Sequence, residues 1–204
     1  MIVMTEWDKM LAGQPYLSTD AYMIARRRCG KAFCDALNSL DANDDAGRAA
    51  LCRQMLGHCG ERVWLLTPFY FTYGCNIEIG DDTFINMNCT FLDSGRITLG
   101  ERCLIGPDVK IYTSSHPVQP QRHWRDACDV LHIENFALPV TIGDNVWIGG
   151  GAILCPGVII GDNSVIAAGS IVNKSIPANV LAAGNPCCVK RDISLDDKKD
   201  APIL

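Results

Sequence analysis

Of the four histidines in this chain, His116 has the position best suited to chemistry. It ends the segment IGPDVKIYTSSHP (105–117), where a six-residue periodicity stops and a stretch without that period begins. A side chain at such a departure point sits at an exposed corner. Imidazole titrates near neutrality and can take a proton from an alcohol at physiological pH, although position alone equally allows an ordinary loop histidine. His58, His123 and His132 have weaker contexts and read as structural or incidental. Asn86 and Asp93 fall at corners of the periodic region. Asp93 can accept from the hydroxyls of a polyol or cap its own backbone, and Asn86 is either a polar site residue or a plain corner residue. Trp147 occupies an outward place, where an exposed indole packs against a ligand arm or a neighbouring subunit. Metal chemistry is not expected: a zinc site needs convergent ligands, and His116, His123 and His132 all lie at or beyond the end of the periodic run.

The elements that must position these residues are set by a repeat of six. From Ile142 to Pro177 an aliphatic residue opens every block: Ile142, Ile148, Leu154, Ile160, Ile166 and Val172. A small or β-branched residue usually fills the fifth place, as at Val146, Ala152, Val158, Ser164 and Ser170, with Ile176 bulkier. Neither the helical period of 3.6 nor the strand period of 2 gives this pattern; a fixed repeat of six means a solenoid of short parallel strands joined by tight corners. The leading aliphatic points into a narrow prism beside its small fifth-place partner, and Gly, Asn and Asp take corners that need positive φ. Three blocks make one triangular coil, and coils stack about 4.8 Å apart. Ile79, Ile85 and Phe91 lead an earlier coil, and Leu99, Ile105 and Ile111 the next. The longer step from Phe91 to Leu99 places two extra residues at a corner near Ser94-Gly95.

Around this core the chain divides into a helical region over 1–62, the solenoid over 63–184 with an inserted loop at 117–141, and a C-terminal cap and tail over 185–204. Thr5 and Asp8 are placed to cap a first helix. Ala21–Leu40 carries Phe33, Leu37 and Leu40 at helical spacing, and Ala46–His58 forms a third helix. A loop as long as 117–141 inside a compact domain is usually functional or disordered. At 204 residues and a formal net charge of -5, with no basic stripe, the chain is not a general nucleic-acid binder. No apolar run approaches the roughly 18 residues of a membrane span and no secretory pattern opens the chain, so a cytoplasmic protein is expected. Eleven cysteines without a C-x-x-C pair, two of them (Cys89 and Cys103) in fifth places, read as reduced buried thiols.

Several segments carry a more specific resemblance. FINMNCTFLD (84–93), IGPDVKIYTSSHP (105–117), the repeat from Val140 to Val172 and the later AAGNP are similar to the maltose and galactoside O-acetyltransferases of the hexapeptide-repeat family. The N-terminal AGQPYLSTD and the TPFYFTYGCNIEIG segment extend the likeness over most of the chain. The resemblance implies a left-handed parallel β-helix, an exception to right-handed crossovers, and acetyl transfer from acetyl-CoA to a sugar hydroxyl. It implies His116 as general base and Asp20, Arg27, Asn86 and Asp93 on the acceptor, with Ser18 competing for the place of Asp20. For the coenzyme it implies Trp147, Gly150, Ala168, Asn173, Lys174 and Arg191, the Gly150 N–H serving as oxyanion donor. It further implies a homotrimer. The sequence agrees, since Asn86 begins the second strand of one coil and His116 finishes the third strand of the next, near different edges.

Two departures stand out. The loop after His116 is several residues longer than in those enzymes, so Trp124 or Phe136 would shape the pocket for an apolar or aromatic-glycoside acceptor. Cys188 replaces a basic residue, which leaves fewer cations for the coenzyme phosphates. An amine, amino-acid or xenobiotic acceptor on the same scaffold, or a non-catalytic solenoid, are the alternative readings.

Overall fold

The hexads build three walls. In the computed structural model, which describes residues 4–118, 123–125, 128 and 131–194, each coil crosses all three in turn. Wall one stacks His58–Cys59, Ile77–Ile79, Ile97–Leu99, Val140–Ile142 and Ile159–Ile160 in parallel. Wall two stacks Trp64–Leu65, Phe84–Ile85, Leu104–Ile105, Trp147–Ile148, Val165–Ile166 and Val180–Ala183, the last of which also pairs antiparallel with Cys188–Asp192. Wall three holds Phe69–Phe71, Cys89–Leu92, Lys110–Tyr112, Ile153–Leu154 and Ile171–Val172. The result is a parallel β-solenoid of about six turns. The leading aliphatics form its dry interior: Ile79, Ile85, Phe91, Ile111, Ile148, Leu154 and Ile166 are fully buried.

The pairing of Ile79 with Leu99, Ile85 with Ile105 and Phe91 with Ile111 places the two extra residues of that coil after Phe91, as the spacing requires. The solenoid is longer than the hexads indicated. A first coil led by Cys59, Leu65 and Phe71 lies beneath Ile79, Ile85 and Phe91, so wall one starts at His58, ahead of the expected 63. Ile176 and Ala182 begin an incomplete coil at the other end. A thiol at Cys59 and the aromatics Phe69 and Phe71 conceal the first coil, because they fill interior places usually held by aliphatic residues.

Corners explain the rest of the repeat. Arg62, Asp82, Arg102, Asn145, Asn163 and Asn179 stack between walls one and two, each with positive φ. The asparagines join hands along the axis: Asn145 Nδ2 donates to Asn163 Oδ1 at 3.2 Å, and Asn163 Nδ2 to Asn179 Oδ1 at 3.0 Å. Arg62 pairs with Asp82 at 2.5 Å, so a left-handed corner accepts even arginine where its side chain finds a partner on the next level. Fifth-place hydroxyls satisfy corner carbonyls, Ser164 Oγ donating to Pro177 O at 2.8 Å and Ser170 Oγ to Ala167 O at 2.7 Å.

Helix α1 (Glu6–Leu11) starts in a capping box between Thr5 and Asp8. Helix α2 (Ala21–Asn38) is capped by Asp20, whose side chain accepts from the N–H of Tyr22 and Met23. Helix α3 (Asp45–Met55) is capped by Asp44 and ends before the expected His58, which already belongs to wall one. Helix α2 lies against the first coil at Gly30, where an added Cβ would come within 2.2 Å of the Thr72 carbonyl oxygen. At the same end Asn38 accepts from Phe69 N–H at 2.9 Å and donates to Phe69 O at 3.0 Å. The side-chain amide thereby replaces a missing strand.

The described part of the insertion is a hairpin of His123–Arg125 with Leu131–Ala137. Its second strand is sewn to the body by antiparallel pairing with Tyr16–Leu17 and with Ser114–Ser115. Of the expected C-terminal cap, Cys188–Asp192 folds back beside wall two, and residues 195–204 lie outside the described residues. Among the described residues no helix is long and apolar enough to cross a membrane. All eleven cysteines are thiols.

Candidate active site in two halves

The expected site residues divide between two edges of the prism. At the edge between walls three and one, the Asp93 carboxylate is fully buried and accepts from the N–H of Tyr73 at 2.8 Å, Thr72 at 2.9 Å and Asn76 at 3.4 Å. Burial pushes its carboxyl up, and those N–H donors pull it back. Asp93 therefore holds the corner at 72–76 from the coil above it. Helix α2 brings Arg27 over this corner, where it donates to Ser18 O at 2.7 Å and to the Tyr73 hydroxyl at 3.4 Å. Asp20, half-buried as the N-cap of α2, stands about two turns before Arg27, while Ser18 contributes its carbonyl to Arg27.

His116 follows the Ser114–Ser115 strand and is exposed. Its Nδ1 faces the Glu134 carbonyl oxygen at 3.4 Å. A carbonyl accepts only, so this contact suits a neutral tautomer with its N–H on Nδ1. The inserted hairpin thus lies against the imidazole. On the same strand His132 stacks with the half-exposed Trp124 at 5.2 Å between centroids and 15° between planes, and Phe136 pairs with Ser115. Asn173 and Lys174 are exposed higher on this edge, following the wall-three strand Ile171–Val172.

The other half lies along wall two and the edge it shares with wall three. A groove of about 620 Å³ is lined by Phe84, Asn86, Leu104, Trp147, Gly150 and Ala168, among others. The N–H of Gly149 is bonded to Ile166 O and that of Gly151 to Pro107 O. Among the described residues, no group accepts from the N–H of Gly150 or from that of Ala168 one coil above, and both line the groove. Glycine at 106 permits this geometry, since a Cβ there would lie 2.5 Å from Gly150 N. Trp147 is 40 % exposed. Arg191, on the strand beside Val180–Ala183, donates to Asp192 O at 2.9 Å. The structure thus brings Asn86 together with Trp147, Gly150 and Ala168, and Arg27 together with Asp93. It does not bring one set to the other within a single chain. A second cavity, of about 300 Å³ between α3 and the first coil, contains none of the expected site residues.

Sequence reasoning missed Tyr73, Phe84 and Leu104. The signal for the last two was available: they recur at the outward place before the leading aliphatic, as Trp147 does, where solvated residues are the norm. Tyr73 gave no periodic signal, because its partners come from α1, α2 and Asp93.

Repeat, walls and groove define a hexapeptide-repeat transferase: residues 139–174 match the bacterial transferase hexapeptide model, and residues 9–60 the maltose acetyltransferase capping motif. The galactoside O-acetyltransferase of Escherichia coli K12 is 40% identical over 191 residues, covering 94% of this chain and 91% of that protein. A maltose O-acetyltransferase from Clostridium difficile 630 superposes with a TM-score of 0.87 at 39% identity, covering 94% of this chain and 98% of its own. A galactoside acetyltransferase in complex with coenzyme A gives 0.88 at 37% identity, with 99% and 100% covered. The chain belongs to the maltose and galactoside O-acetyltransferase family, and its solenoid is the left-handed parallel β-helix of that family.

Proposed function

We propose that this protein is an acetyl-CoA-dependent O-acetyltransferase that acetylates a hydroxyl of a maltose-, glucose- or galactoside-like sugar by direct transfer. The observation that carries the reading is the pair of groove-lining residues Gly150 and Ala168, whose N–H groups no described residue accepts, beside an exposed Trp147, in the groove that also holds Asn86. Such a groove suits a thioester on a long amide-bearing arm. The Trp147 indole packs against the arm, the Ala168 N–H binds one of its carbonyls, and Gly150 N–H faces the oxyanion. Asn173, Lys174 and Arg191 lie toward the same C-terminal coils, with the two cations suited to the coenzyme phosphates.

Chemistry then needs one base. His116 Nε2 takes the proton of the acceptor hydroxyl as its oxygen attacks the thioester carbonyl carbon. The tetrahedral oxyanion is held by Gly150 N–H; its collapse breaks the C–S bond, and the departing thiolate takes the proton from His116. No acyl-enzyme is required, because the thioester is already activated and both substrates are held together. Arg27, Asp20 and Asn86 contact the sugar, with Asp93 fixing the corner on which it rests.

The site is completed by a second copy. Asn86 and His116 belong to different edges, and the outward row of wall two, Trp64, Phe84, Leu104 and Trp147, is apolar throughout, with Trp64 61 % and Leu104 51 % exposed. Burying such a row against another chain supplies the driving force for association, and three copies give three equivalent interfacial sites.

Thiol release from acetyl-CoA with maltose or a methyl galactoside tests the reading. A general base contributes roughly 10²–10⁴-fold, so His116→Ala is expected to lower kcat by about that factor with the acetyl-CoA KM unchanged. Equal sugar-dependent rates in the two proteins would remove His116 from the chemistry.

A further inference from the structure

Tyr73 is the residue on which the acceptor half converges, although it reaches no ligand surface of its own. It is buried, only 6 % exposed. Its backbone N–H is held by the Asp93 carboxylate at 2.8 Å. Its ring meets Trp7 of α1 edge-on, at 5.0 Å and 87°. Trp7 is itself wedged by Tyr22 edge-on at 5.9 Å and by the Arg26 guanidinium at 5.4 Å. The phenol oxygen receives Arg27 Nη1 at 3.4 Å, while Arg27 Nη2 is tied to Ser18 O. Burial pushes the Tyr73 phenol up, and Arg27 draws it back, so the hydroxyl stays neutral and acts as acceptor at physiological pH.

A planar guanidinium fixed at two nitrogens has a defined remaining edge. With one anchor lost, a long arginine side chain regains rotamer freedom that must be given up again on binding. We propose that Tyr73 is the positioning residue that aims Arg27 at the acceptor, transmitting the placement of the Asp93 corner to the guanidinium. This inference rests on the reading of Arg27 as an acceptor-binding residue.

The test is a kinetic cycle with Tyr73→Phe, Arg27→Ala and the double variant, using acetyl-CoA at saturation with maltose and, separately, methyl β-galactoside. Tyr73→Phe keeps the ring against Trp7 and removes only the hydroxyl. Losing a hydrogen bond of this kind corresponds to roughly a fivefold change. The acceptor KM is expected to rise about that much, with kcat within about twofold, the acetyl-CoA KM unchanged and the thermal midpoint near wild type. In the Arg27→Ala background the same substitution is expected to change nothing further, because the two groups act as a unit. Arg27→Lys, which leaves the aromatic packing untouched and cannot span both anchors, should reproduce the KM effect even if Tyr73→Phe folds poorly. A raised acceptor KM in Arg27→Ala with a wild-type KM in Tyr73→Phe overturns the positioning role alone, as does an equal Tyr73→Phe effect in both backgrounds. An unchanged acceptor KM in Arg27→Ala overturns the assignment of Arg27 and this inference with it.

Discussion

The buried thiols show how far local environment departs from residue type. Burial pushes Cys52, on the inner face of α3, up to about 12 and Cys89, in the solenoid, up to about 11, and the Cys103 thiol rises for the same reason. Thiolate is the reactive form, so native protein treated with iodoacetamide at pH 8 should carry label at exposed Cys29 and Cys188 while Cys52 and Cys89 stay unmodified until urea is added. Peptide mass mapping reads this directly. The sign of the pH effect follows. The native state keeps these protons longer than the unfolded chain, where a thiol titrates near 8.5. Their protonated burial is therefore fully present below that pH and is lost as pH rises toward 11–12. Urea midpoints measured from pH 8 to pH 10.5 should decline, and Cys52→Ala should flatten part of that decline. A midpoint that rises with pH across this interval would contradict the linkage.

At the scale of elements, the corner between walls one and two does two jobs at each level. It turns the chain through a left-handed residue and ties that residue's side chain to the next level. Replacing Asn163 by Ala removes both side-chain bonds and puts a Cβ without compensation at φ 58°. A loss of about 2 kcal/mol in urea unfolding is expected, with Asn163→Gly recovering the conformational part. On the opposite edge, Gly106→Ala would drive a methyl into Gly149 and Gly150, and a raised acetyl-CoA KM is the expected result. These elements were also where the sequence was most and least readable. The coils from Ile79 to Ile111 and from Ile142 to Val172 follow from their aliphatic spacing, as does the two-residue excess after Phe91. The first coil was hidden, because Cys59, Leu65 and Phe71 satisfy the interior by volume and not by residue class. Of the residues named through family likeness, Asp93 is buried beneath the surface, and no periodicity reveals that Arg27 and Asp93 meet through Tyr73. That contact joins positions 46 apart, and only the docking of α2 on the first coil creates it.

For the whole molecule, the proposed division of the site between two edges predicts that activity depends on assembly. Trp64 sits at the foot of the apolar row, outside the groove that holds Asn86 and Gly150. Trp64→Glu should shift the sedimentation mass from three chains toward one and abolish transfer, though the substituted position touches neither proposed substrate. Full activity in a single-chain species would refute the shared site. The other end of the architecture has its own logic. At Phe69–Phe71, the first strand of wall three, the backbone is met by the amide of Asn38 and by the thiol of Cys34, which Phe71 N–H approaches at 3.4 Å. A side chain completes those hydrogen bonds without presenting a fresh strand edge beyond it. Wall three is therefore terminated chemically at its base. Without that stop, the edge of wall three would be a template for open-ended strand addition, and one asparagine and one cysteine on a helix close it.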